Sequence, residues 1–150
     1  MTQDSYERTI ETTASKAEIY EALTTGIAQW WTSEAGQFEH VGDVARFGFS
    51  QRRGYWTFKA IALGQDRVEW ECVEALHLHE GMPKEIETEW LGTRAIWSMQ
   101  DTEAGTQIHF VHEGLTPDLL CFDICEAGWD MFFVDSFKTY LDTGTGKPHV

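Results

Sequence analysis

Positive charge is scarce in this chain: eleven Lys and Arg stand against twenty-five Asp and Glu, a formal net charge of −14. Such a surface repels phosphate backbones and anionic lipid, so nucleic acid is not expected as a partner. The basic residues are scattered, with Arg52-Arg53 their one adjacent pair, and no local patch reverses the argument. Long apolar runs are missing too. None approaches the roughly 20 residues of a membrane span, and no basic segment leads into an apolar one at the amino terminus. No membrane partner and a cytoplasmic location are the expectation. Cysteine is limited to Cys72, Cys121 and Cys125, an odd number without CxxC spacing. Each sits in an apolar pattern and reads as a buried reduced thiol. Cys121 and Cys125 fall one helical turn apart, and a redox pair is the lesser reading of them. There is no GxSxG, no Walker loop, no GxGxxG after a strand and no HExxH. No repeat, low-complexity tract or linker divides the sequence, so one domain over residues 1–150 is expected.

What the chain has in abundance is aromatic surface, with seven Trp and nine Phe, more than a minimal core requires. Thr106, Ile108, Phe110 and His112 alternate with polar neighbours, the period of a strand with one face turned inward. Thr116 and Pro117 have the form of a helix start. Beyond them apolar residues recur at Phe122, Cys125, Trp129, Phe132, Phe133, Ser136, Phe137, Tyr140 and Leu141, up to Gly144 and Gly146, which suit a helix exit and a loose tail. Upstream, Ser15-Lys16-Ala17-Glu18 reads as a capping box opening a short helix, and a second short helix is expected over Ile27 to Trp31. A first strand is expected from Tyr6 to Glu11. Further strands are expected near Gly36 to His40, Val44 to Ser50, Gly54 to Leu63, Arg67 to Glu74, Gly92 to Met99 and Gly105 to Glu113, joined by short turns that imply an antiparallel meander. The long connection Ala75 to Leu91 reads as a lid or a wide loop. The inferred class is α+β: a seven-stranded curved antiparallel sheet, in the order β-α-α-β6-α, wrapped around a long C-terminal helix with an internal cavity.

The residues Ala22-Leu23-Thr24, Trp30-Trp31, Trp70-Glu71-Cys72, Trp90-Leu91-Gly92-Thr93, Phe110 to Leu115, Cys125 to Trp129 and Tyr140 to Pro148 together resemble the START-like superfamily, also called SRPBCC or helix-grip proteins. More narrowly they resemble the branch named for homology to the activator of the heat-shock-protein ATPase. The resemblance spans nearly the whole chain and implies a deep cavity between the sheet and the last helix. It does not specify a function, because the superfamily holds lipid carriers, ligand binders and polyketide cyclases alike.

Three functions remain open. The first is non-catalytic binding of a small, largely apolar or aromatic ligand, lipid-like or polyketide-like. Its expected lining is Phe47, Trp56, Phe58 and Trp70 on the sheet, Thr93, Trp97, Phe110 and His112 on the later strands, and Cys125, Trp129, Phe133, Ser136 and Tyr140 on the helix. His112, the last inward residue of its strand, is the candidate polar anchor. The second is a cyclase- or hydrolase-type enzyme in which His112 and Tyr140 polarise a carbonyl. The third is an interaction module for a chaperone in a stress response. Glu69 and Glu71 share the outer strand face and read as solvated charge. His77-Leu78-His79-Glu80 is the one sequence cluster with ligand-like chemistry, too small for a stable metal site, so no metal and no cofactor are expected. Gly128, in mid-helix, is expected where the helix closely approaches its neighbours. A monomer or homodimer is consistent with all three.

Overall fold

In a computed structural model, which describes residues 4–150 without the side chains of Gln51 and Arg52, seven strands form one antiparallel sheet. They are β1 (Tyr6–Thr12), β2 (Glu34–Ala35), β3 (Val44–Gly48), β4 (Gly54–Leu63), β5 (Arg67–His77), β6 (Arg94–Asp101) and β7 (Thr106–Glu113). Their order across the sheet is β1-β7-β6-β5-β4-β3-β2, so every pair except β1 with β7 joins neighbours in sequence. Register shifts between β4 and β5 at Thr57/Phe58 and at Ala60/Ala62 bend these long strands, as bulges do, and the sheet curls into a half-barrel.

The period-2 pattern holds along the inner face. Phe47, Phe58, Trp70, Trp97, Ile108, Phe110 and His112 are all fully buried. The outer face is wet with two exceptions, Thr57 and Glu69, which are shielded by side chains of their own face. Glu69 is only 5% exposed, clamped by Arg67 and Arg94 at 2.6 Å each. Burial pushes its carboxyl up, but the two guanidiniums outweigh that and hold it below the usual range.

Helix α1 (Lys16–Ala22) opens on the expected capping box at Ser15 and Glu18 and is followed by a single 3-10 turn, Ile27–Gln29. A one-turn helix α2 (Ser50–Arg53) interrupts the β3–β4 hairpin. Gly54 ends it at φ 90°, where a Cβ would stand 1.7 Å from the Leu76 carbonyl oxygen. Only glycine fits there. The C-terminal helix runs from α3 (Phe122–Trp129) through a π-helical stretch, Asp130–Phe137, into α4 (Lys138–Thr143). It ends as expected at Gly144, in the left-handed region.

Four local expectations are corrected. Gly36 to His40 is not a strand; pairing there is limited to Glu34–Ala35, while Phe38 turns into the core. The last helix does not begin at Pro117, because residues 117–121 form turns. The turn that leads into the helix is held by the Glu89 carboxylate, which accepts from the backbone of Leu120 at 2.8 Å and of Cys121 at 2.9 Å. The tail is not loose: His149 pairs in parallel with Thr32, and Ser136 Oγ accepts from the Lys147 N–H. Nor is the Ala75 to Leu91 connection a free lid, since it carries a 3-10 turn, Lys84–Thr88, and buries Ile86 and Trp90.

Tyr6 and Arg8 fasten β1 to the helix. The Tyr6 hydroxyl donates to Asp130 at 2.7 Å and Arg8 Nε to the same carboxylate at 3.0 Å. The buried apolar side chains form one cluster, with the sheet on one side and the helix on the other.

Candidate functional site

Much of the space between sheet and helix is filled by rings. Trp97 stacks on Phe110 with centroids 4.6 Å apart, Phe110 meets Trp129 at 4.7 Å, and Trp70 meets Trp97 at 4.3 Å. His112 lies in this packed region and is fully buried. Its Nδ1 accepts from the Trp129 indole N–H at 2.9 Å. An indole only donates, so the imidazole proton must sit on Nε2, which faces Thr93 Oγ1 at 2.8 Å. Thr93 then donates onward to the Trp90 carbonyl at 2.6 Å. Every polar atom in this chain of bonds is satisfied. Burial without a charged partner pushes the His112 pKa down to about 3, so the ring is neutral at ordinary pH.

An open cavity of about 150 Å³ lies at one end of the helix. Its walls are the indoles of Trp31, Trp56, Trp90 and Trp129, together with Phe49, Ile124, Met131 and Phe132, and Gly128 forms part of the helical side. Trp31 and Trp90 both stack on Trp129, at 5.0 Å and 23° and at 5.9 Å and 8°. Arg53, His77 and His79 supply its polar atoms. A Cβ built on Gly128 meets nothing within 4 Å, so this glycine does not serve a close approach. It leaves room in the cavity instead.

Of the residues expected to line a site, Trp56, Cys125 and Trp129 reach this cavity. Phe47, Phe58, Trp70, Trp97, Phe110, His112 and Phe133 are placed in the packed interior, fully buried. Thr93 is tied into the His112 chain. Ser136 donates to the Trp30 carbonyl at 2.7 Å, and Tyr140 packs part-buried against the core. Trp31, Phe49, His77, Trp90 and Phe132 also line the cavity but were not among the expected residues. Trp31 and Trp90 carry the family resemblance; the position of His77 depends on how far β5 extends, to its last residue.

Three buried polar atoms of residues that line the cavity have no hydrogen-bond partner among the described residues: Trp56 Nε1, Trp90 Nε1 and His77 Nδ1. Beside them, Cys121 stands just before α3 and Cys125 one turn along it. The Cys125 thiol beside it, with the nearby His77 and Trp90, draws the Cys121 pKa down in spite of burial, while Cys125 is pushed up. Cys72 is remote in role. Burial pushes it up to about 12.

No protein-family model matches the chain, and no curated protein matches it. Among solved structures, the Aha1 dimer from Colwellia psychrerythraea is similar over 97% of this chain and 100% of its own, with a TM-score of 0.75 and 27% identity. This chain has the START-like, helix-grip fold. Two more distant likenesses show the same fold: protein MLL2253 from Mesorhizobium loti, with a TM-score of 0.69, 16% identity and 87% and 91% of the two chains covered, and DynU16 of the dynemicin biosynthetic locus. The latter has a TM-score of 0.68 and 18% identity, over 97% of this chain and 49% of that one. No helix of this START-like chain among the described residues is long and apolar enough to cross a membrane.

Proposed function

We propose that the chain binds a small planar aromatic molecule in the indole-walled cavity, without catalysis. The observation that carries this reading is the wall itself, in which the indoles of Trp31, Trp56, Trp90 and Trp129 surround one cavity. A space of about 150 Å³ suits one ring or a compact fused pair, the size of cavity that admits benzene in other proteins. Burying roughly 200 Å² of such a ligand contributes only about 5 kcal/mol, a dissociation constant in the high micromolar range. Tighter binding therefore needs polar contacts as well. Arg53, at the mouth, is well placed to meet an acidic substituent. His112 has no free valence for a ligand and no titration near neutral pH, which weighs against the enzyme reading. Assembly as a homodimer is proposed by likeness to the Aha1 dimer.

Indole N–H signals in an NMR titration test the reading against a panel of aromatic acids, neutral aromatics and aliphatic acids. Saturable shifts at Trp56 and Trp90 with the aromatic ligands, and none with the aliphatic ones, are expected. Shifts confined to surface residues would remove the proposal.

A further inference from the structure

We propose that His77, Cys121 and Cys125 form a zinc site whose fourth position opens toward the cavity. Their ligand atoms, His77 nitrogen and the two Sγ, lie within 4.8 Å of one another, and all three residues are buried. This is the one such group among the described residues. The second observation is independent of the sulfurs. His77 is only 7% exposed, yet its Nδ1 has no hydrogen-bond partner among the described residues. A ring nitrogen withdrawn from water and left without a partner is unfavourable, and a metal bond offsets that.

The donor set fits zinc. Two thiolates and an imidazole make a neutral assembly with Zn²⁺, tolerable under burial, and three protein ligands with a fourth position for water or ligand is a known zinc arrangement. Sulfur at about 2.3 Å and nitrogen at about 2.0 Å from the ion place tetrahedral donors about 3.5 Å apart, so closing on the ion needs a contraction of up to about 1.3 Å. Both side chains on the helix are fixed by one turn of backbone, the Cys125 N–H donating to the Cys121 carbonyl at 2.8 Å. His77 and Cys125 also line the cavity, which gives the ion a way in and leaves the fourth position accessible. The net charge of −14 draws cations toward the molecule. In sequence, His77 stands beside His79 and far from both cysteines, so only the fold brings the three together. The site stands whether or not the cavity also takes an aromatic ligand.

Cobalt(II) added to the reduced, metal-free chain is the probe, with zinc as competitor. One equivalent should give sulfur-to-cobalt charge-transfer bands and the visible bands of a tetrahedral site, both erased by zinc. Cys121→Ser, Cys125→Ser and His77→Gln should each weaken cobalt binding by about 100-fold or more, at least the loss typical of disturbing a metal site's supporting shell. If a variant does not fold, zinc-edge X-ray absorption on the parent reads the same point: two sulfurs and one or two light atoms support the site. Thiol alkylation adds a check in one molecule, since zinc should protect Cys121 and Cys125 while leaving Cys72 unchanged. Cobalt spectra without sulfur bands, or variants that bind as the parent does, would reduce the finding to a surface histidine site. Formation of a Cys121–Cys125 disulfide in the presence of zinc would equally overturn it.

Discussion

His112 holds three elements at once, linking β7 to the helix through Trp129 and to the start of β6 through Thr93 and Trp90. Replacing it with Leu strands the Trp129 N–H, while the Thr93 hydroxyl keeps its bond to the Trp90 carbonyl, and a loss of about 1–3 kcal/mol is expected from one orphaned buried group. Gln, which can accept at one end and donate at the other, should keep most of that stability; chemical denaturation of the three proteins decides. Acid adds a second signature. The folded ring has a pKa of about 3, against about 6.5 in the unfolded chain. Below pH 6.5 the unfolded chain takes a proton that the folded chain refuses, so stability that is complete at neutral pH falls as pH drops toward 3. Each unit within that window costs about 1.4 kcal/mol. The carboxylates of Glu69, Asp43 and Asp142 have lowered pKa values and so act only at lower pH. The His112→Gln variant should show a clearly shallower slope in the upper part of that window than the parent; equal slopes would show that another group is responsible.

Along the C-terminal helix, Gly128 and Glu89 control different ends of the same element. Gly128→Ala should raise stability by about 1 kcal/mol, because it improves helix propensity and its Cβ meets no neighbour. Gly128→Leu should leave the fold intact but fill the cavity, abolishing aromatic binding in the NMR titration while the melting temperature stays at or above that of the parent. A large loss of stability in Gly128→Leu would mean that the cavity is narrower than the structure shows. The strands were legible in the sequence because alternation is a local signal, and from β3 onward it identified the buried face residue by residue. The helix start was not. Thr116 and Pro117 resemble a start, but Thr116 spends its hydroxyl on Asp118, and the carboxylate that holds the turn before the helix comes from Glu89, thirty-one residues away from Leu120. The cavity was unreadable for the same reason. Trp31, His77 and Trp90 come from three distant segments, and Glu69 looked solvated because nothing in the strand pattern shows that Arg67 and Arg94 lie over it.

For the molecule as a whole, a net charge of −14 on 150 residues means self-repulsion in the compact state. Screening over a Debye length of about 10 Å at 0.1 M salt should raise the melting temperature between 10 mM and 300 mM sodium chloride. A fall would mean that ion pairs such as Arg94 with Glu69 and Arg8 with Asp130 outweigh the repulsion. The molecule's two sides meet in one dipeptide. Glu89 holds the amides of Leu120 and Cys121 just before the helix, and Trp90, next in the chain, is a wall of the cavity. The connection cannot swing outward at Trp90 without also releasing those amides. Access to the cavity therefore has a clock: hydrogen–deuterium exchange at Leu120 and Cys121 should keep time with opening, and a ligand lodged against Trp90 should slow both amides together.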